Sequence, residues 1–182
     1  MNSKIAIRRH FKEMREHLHG PSMDEWSQQI SNQLFMLLRQ RCFDGVLYLF
    51  VPMRGEPDVL AGARRYQCPI ALPIITGHGS MEFYHWVPGD RLKMGAFGIP
   101  TPEETLPVMI PKPGDALVMP ALAIDGSGVR LGFGGGYYDR YLQEHRRAFS
   151  FVAGAVFPPF FSIAPLPSEV HDQPVDFCLT VS

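Results

Sequence analysis

Chemistry in this sequence is densest in the stretch RLGFGGGYYDR, residues 130–140, where glycine fills four of the five positions from Gly132 to Gly136. Consecutive glycines let backbone N–H groups converge as an anion-binding nest, and a helix starting there adds its N-terminal dipole. The stretch lacks the lysine and hydroxyl residue of a P-loop, and Tyr137 stands where a dinucleotide fingerprint needs its third glycine. A glycine turn that packs a helix tightly on a sheet accounts for the same residues. Arg130 precedes the loop, and Asp139 lies in the first turn of the expected helix. A carboxylate there either complements the dipole or holds a divalent cation beside a phosphate. Asp139 alone leaves both readings open.

Positive charge for such a nest is also present at the start of the chain. Lys4, Arg8, Lys12 and Arg15 recur at steps of four, four and three, on one face of a helix whose apolar face carries Ile7, Phe11, Met14 and Leu18. A stripe of this kind is ordinarily a solvated face. Other groups that could do chemistry are Glu56 in a turn before Pro57 and the His171-Asp172 pair. His171 reads as structural, because magnesium prefers oxygen donors.

The elements that must position these groups follow from periodicity. Ser22 and Glu25 predict a capping box for a second helix with Ile30, Leu34, Leu37 and Leu38 on its buried face. GVLYLFV and CPIALPI are continuous apolar runs, as strands buried on both faces require. The second is joined through GHGS to MEFYHWV in a hairpin, with Trp86 read as half-buried. A short helix is expected near residues 58–66. Residues 88–114 are rich in Pro and Gly and read as a long functional loop or lid. DALVMPALAI predicts one further strand, a helix covers YYDRYLQEHRR, and FSFVAGAVF and VDFCLTV are the last strands. The alternation predicts an α/β fold: a single Rossmann-like three-layer domain, residues 1–182, with a largely parallel central sheet flanked by helices. Ligands bind such sheets beyond the carboxyl ends of the strands.

Composition narrows the function classes. With 182 residues, 46% of them apolar, 19% charged and a net charge of −1, the chain reads as globular, without the positive field of a nucleic-acid or membrane binder. Cys42, Cys68 and Cys178 form no ligand cluster and are expected to be buried free thiols. The polar first twenty residues and the lack of a long apolar run predict a cytoplasmic protein.

LVMPALAIDGSGVRLGFGGGYYDRYL (117–142) resembles the signature of the 5-formyltetrahydrofolate cyclo-ligase family, also called methenyltetrahydrofolate synthetase. The family pattern runs from a strand ending in Pro, a small apolar run and Asp to G-x-RLG-x-G-x-GYYD. In register with it, Lys4 to Arg8 fits K-x-x-[LI]-R, and Gly55-Glu56 fits a Gly-Glu turn. Met81 to Trp86 fits M-x-F-Y-x-W, Gly98 to Pro100 fits G-I-P, and LPSEVHDQPVDFCLT fits the closing motif.

The resemblance implies conversion of 5-formyltetrahydrofolate, polyglutamylated forms included, and MgATP to 5,10-methenyltetrahydrofolate, ADP and phosphate, by a monomer. It places ATP against Lys4, Ile5, Ala6, Ile7 and Arg8, and against Arg130, Leu131, Gly132, Phe133, Gly134, Gly135, Gly136, Tyr137 and Tyr138. It places folate against Val51, Glu56, Phe133, Gly134, Gly135, Gly136 and Tyr137. Mg2+ falls to Asp139 and Asp172, and catalysis to Arg130, Tyr137 and Asp139. Lys12 and Arg15 match nothing in the pattern and keep the solvated reading.

Three departures bear on the folate side and the lid. Thr101 replaces the Glu common in the family's GI-x-EP segment, and Phe160 and Phe161 stand where a glutamine is common. Phe133 stands where other members carry a basic or another apolar residue. A binding module without turnover and a phosphotransferase on another substrate are the alternatives.

Overall fold

Apolar residues at helical spacing give α1 (Lys4–Glu16) and α2 (Ser22–Gln40) of a computed structural model that describes residues 3–181. Ser3 caps α1 by accepting from the Ala6 N–H. The capping box expected for α2 does not form: Pro21 is the cap and Ser22 is already helical. A proline with its fixed φ begins a helix without needing a side-chain acceptor. Ile30, Leu34 and Leu38 are buried as expected, with Leu37 half-buried beside them. Asp58 does cap the next helix, accepting from the Leu60 and Ala61 N–H groups.

The remaining elements are β1 (Leu47–Tyr48), α3 (Val59–Tyr66), β2 (Ile70–Gly77), β3 (Ser80–Trp86), β4 (Lys93–Met94), β5 (Pro100–Thr101) and β6 (Val108–Met109). They continue with β7 (Asp115–Pro120), β8 (Ala123–Asp125), β9 (Arg130–Leu131), α4 (Tyr137–His145), β10 (Phe149–Ala155), β11 (Phe161–Ser162) and β12 (Phe177–Leu179). Seven strands form the central sheet in the order β12-β10-β7-β1-β2-β3-β6. Its first four pairings from β12 to β2 are parallel, and the β2–β3 hairpin and β6 run antiparallel at the other edge. This is the largely parallel α/β sheet the sequence predicts.

Tyr141 of α4 packs on Phe83 and Phe149, which also meet Tyr48, so α4 covers that face. Phe151 instead meets Phe43 and Phe177. Residues two apart would share a face in a regular strand, but the register of β10 slips between Phe149 and Phe151. The core therefore receives aromatic rings on both sides from one strand.

DALVMPALAI does not form one strand. Pro120 ends β7, and β8 turns away to pair with β9 and β11 in a small separate sheet. Proline donates nothing to a ladder, so a central strand breaks readily there. Two other expectations change: Cys42 is exposed, and Trp86 is fully buried with its indole N–H donating to the Asp90 carbonyl.

Buried Asp125 fastens the start of the glycine stretch. Its Oδ1 accepts from the Ser127 N–H and hydroxyl and from the Val129 N–H, and its Oδ2 from the Leu166 N–H at 2.8 Å. Burial alone would raise this carboxyl, but these donors together hold it below its usual 3.8. A carboxyl depressed in the folded state contributes stability above its unfolded value and loses it as pH falls through the folded one. Asp125→Asn is expected to cost about 2–3 kcal/mol at neutral pH. The gap from wild type should close below about pH 4, and denaturant melts across pH check it. A gap that does not narrow would show that the charge is not what the four donors hold.

Candidate active site

The parallel strands end in a cavity of about 950 Å³. Phe50 and Val51 follow β1, Ile75 lies in β2, and Pro120 closes β7; all four line it, as the position of ligand sites in open α/β sheets requires. One wall is the glycine loop. Gly134 and Gly136 take φ of +109° and +66°, which a residue with a Cβ adopts only under strain. A Cβ on Gly136 would also lie 2.7 Å from Nη1 of Arg140, whose Nε donates to the Gly79 carbonyl and whose Nη2 donates to that of Gly135. Arg140 thus bolts the loop to the β2–β3 turn. Gly136 caps α4, so the open N-terminal turn of that helix faces the cavity.

Helix α1 reaches this wall from the start of the chain. Arg8 Nε donates to the Gly132 carbonyl at 3.1 Å, and Lys4 Nζ lies 2.5 Å from Asp172 Oδ2. Arg130 is buried, with Nη2 donating to Asp139 Oδ1 at 2.7 Å and its guanidinium 6.0 Å from the Tyr138 ring. Asp139 Oδ1 also accepts from the Gln173 N–H, which sets it next to Asp172. Burial opposes ionisation of Asp172, but Lys4 and the Glu169 N–H outweigh it and hold its carboxyl below the ordinary range. Burial pushes the Tyr138 hydroxyl well above its usual value, so that phenol stays protonated.

The cavity wall takes in Arg8, Val51, Glu56, Arg130, Asp139 and Asp172, and every residue from Gly132 to Tyr138. Lys4, Ile5, Ala6, Ile7 and Leu131 are not on it. Ile5 is exposed, while Ile7 and Leu131 pack with Leu122 in a second apolar cluster. Ile7 and Leu131 thereby seat α1, which brings Arg8 to the wall and Lys4 to Asp172.

Asp139 and Asp172 are suited to a divalent cation. Each carboxylate is pinned through one oxygen, and the other, Asp139 Oδ2 and Asp172 Oδ1, accepts no hydrogen bond among the described residues. Glu169 and His171 gather with Asp172, their ligand atoms within 4.8 Å of one another. Magnesium needs only one or two such carboxylates beside phosphate and water.

The same cavity holds the main correction. Arg15 is no solvated residue: its side chain is 11% exposed and pairs with Glu56, itself 6% exposed, at 3.1 Å. Its Nη2 donates to the Ala121 carbonyl at 2.6 Å. Burial pushes the Glu56 carboxyl up, against the Met53 N–H and Arg15, which favour its charge. The step of three from Lys12 to Arg15 did signal a shared helix face, but spacing carries no depth. Phe97, also missed, lines the cavity at φ +56° with its ring 6.4 Å from that of Tyr137. The lid reading of residues 88–114 is the one signal that covers it.

Comparison with known proteins agrees with this geometry. The family model described as the 5-formyltetrahydrofolate cyclo-ligase family matches residues 1–181. The cyclo-ligase of Haemophilus influenzae is 27% identical over 176 residues, covering 93% of this chain and 92% of the relative. That of Mycolicibacterium smegmatis is 31% identical over 145 residues, 72% of this chain and 71% of its own. The solved structure of Aquifex aeolicus 5,10-methenyltetrahydrofolate synthetase superposes with a TM-score of 0.79 at 29% identity, covering 97% of this chain and 89% of that one. The Mycoplasma pneumoniae synthetase shares the fold, with a TM-score of 0.76 at 18% identity over 97% and 98%. No helix among the described residues is long and apolar enough to cross a membrane. The chain belongs to the 5-formyltetrahydrofolate cyclo-ligase family of enzymes.

Proposed function

We propose that the chain, with Mg2+ as cofactor, converts 5-formyltetrahydrofolate and ATP into 5,10-methenyltetrahydrofolate, ADP and phosphate, acting as a monomer in the cytoplasm. The observation that carries this reading is a single cavity in which the glycine loop is lined up with two chemically different sets of side chains. Arg8, Arg130 and the loop N–H groups offer a cradle for phosphates. Glu56 offers a buried acceptor for the amino and N–H groups of a pterin.

A formamide oxygen is a poor leaving group, and transferring the γ-phosphoryl group of ATP to it solves that difficulty. The formyl carbon then takes the lone pair of N10, the C–O bond breaks, phosphate departs, and N10 gives up its proton. Such chemistry asks the protein for positioning and charge stabilisation rather than for a nucleophile. Arg130 is held rigidly where charge develops, its direction fixed by Asp139. Tyr137, at the first turn of α4, closes the loop over the reacting atoms. Mg2+ held by Asp139 and Asp172 would neutralise the triphosphate.

Incubating the protein with 5-formyltetrahydrofolate and MgATP is expected to produce the methenyl absorbance and ADP in equal amounts. Folded protein that binds either substrate without forming both products would overturn the reading.

A further inference from the structure

Two of the three departures from the family pattern, Phe133 and Phe160, meet on one side chain. The Arg15 guanidinium lies over both rings, 5.2 Å from one centroid and 5.1 Å from the other. Resting on the folate reading of Glu56, we infer that Arg15 is a positioning residue: clamped by Phe133 and Phe160, it fixes the Glu56 carboxylate for the folate substrate.

Five separate segments converge to make this arrangement. Arg15 comes from α1, Glu56 from the turn before α3, Ala121 from the break between β7 and β8, Phe133 from the glycine loop and Phe160 from the segment before β11. One terminal nitrogen of the guanidinium donates to Glu56 Oε1 and the other to the Ala121 carbonyl, so its direction is set by two bonds as well as by the two rings. The second Glu56 oxygen accepts from the Met53 N–H at 2.9 Å. Each oxygen of an ionised carboxylate has a further lone pair, and these remain for donors of a ligand in the cavity. Gly55, at φ +79°, makes room for the arginine stem: a Cβ there would lie 2.6 Å from Arg15 Cγ.

Stability does not account for the pair. Taking two charges out of water offsets most of their attraction, and apolar residues of similar volume would serve the core as well. What only a planar, two-edged, stackable cation supplies is direction. Lysine, a point charge, could pair with Glu56 but could neither stack on the rings nor bridge to Ala121.

The test measures, by calorimetry, the dissociation constants of 5-formyltetrahydrofolate and of ADP separately, for wild type, Arg15→Met, Arg15→Lys and Phe160→Leu. Arg15→Met is expected to weaken folate binding by about 50-fold, since it leaves Glu56 unpaired, and to change ADP binding by less than about twofold. Arg15→Lys should recover only part of the loss, and Phe160→Leu should weaken folate about three- to tenfold. In turnover the same variants should raise the KM for folate more than they lower kcat. Equal losses for both ligands would mean a general structural role and overturn the inference. Should Arg15→Met fail to fold, Arg15→Lys and Phe160→Leu decide, and unchanged folate binding in both overturns it. Wild-type protein that binds no 5-formyltetrahydrofolate would instead sink the functional reading itself.

Discussion

Arg130→Met is expected to lower kcat/KM by about a thousandfold or more, the size of effect seen when a fixed charge is removed from a transition state. Arg130 is among the few buried charged residues in the described chain, and its Nε has no hydrogen-bond partner there. A Cβ on Gly132 would come within 2.9 Å of its Nη1, so the guanidinium lies directly beneath the loop. That position gives it little freedom, and on the proposed function its charge would meet the transferring phosphoryl group. The substitution also strands Asp139, and breaking such a pair typically costs about 3–5 kcal/mol. The double variant Arg130→Met with Asp139→Asn should regain much of that stability and none of the activity. Thermal melts beside steady-state kinetics separate the two effects. A double variant that regains activity would show that the pair serves the fold alone.

Asp172→Asn is expected to act in opposite directions with and without magnesium. Lys4 and Arg130, two of the three cations that the resemblance sets against ATP, are each engaged by a carboxylate it assigns to the metal. On the proposed function, binding of the metal–nucleotide complex would exchange these partners, phosphate taking the cations and metal the acids. Asparagine at position 172 leaves Lys4 only its longer contact with Glu169, at 3.5 Å. With EDTA present, nucleotide should then bind about fivefold more tightly than to wild type, the worth of one partly exposed ion pair. With magnesium supplied, turnover should fall by about a hundredfold, because one of two carboxylate ligands is gone. Calorimetry in EDTA and kinetics across magnesium concentrations read the two arms. Weaker metal-free binding by the variant would refute the exchange.

The parts of the fold that the sequence made legible are those where local pattern and tertiary demand agree. The β2–β3 hairpin is one, since GHGS supplies a turn and both flanking runs are apolar. The start of α4 at Tyr137 is another, because Gly136 has the backbone freedom to turn the chain into a helix. Legibility ended where the same residues allow two depths or two directions. Lys12 and Arg15 share a helix face, yet Lys12 is exposed and Arg15 is held over two aromatic rings. Nothing local distinguishes them, because the rings come from positions more than a hundred residues away. DALVMPALAI is apolar after Asp115, so only the missing N–H of Pro120 hinted that the run divides between two sheets. In the cavity wall, the glycine loop and its flanking charges were visible as types and spacing. Their pairing, Lys4 with Asp172 and Arg130 with Asp139, was not.

The Lys4–Asp172 contact joins residues 168 positions apart. Contacts of such separation close late, because the entropy of bringing distant segments together must be met first. On the ribosome, the strands of β1, β2, β3 and β7 and their covering helices can pair while residue 172 is still unsynthesised. Translation thus delivers the middle of the sheet well before it delivers Asp172, so the corner where α1 meets the closing segment is completed after the sheet that supports it.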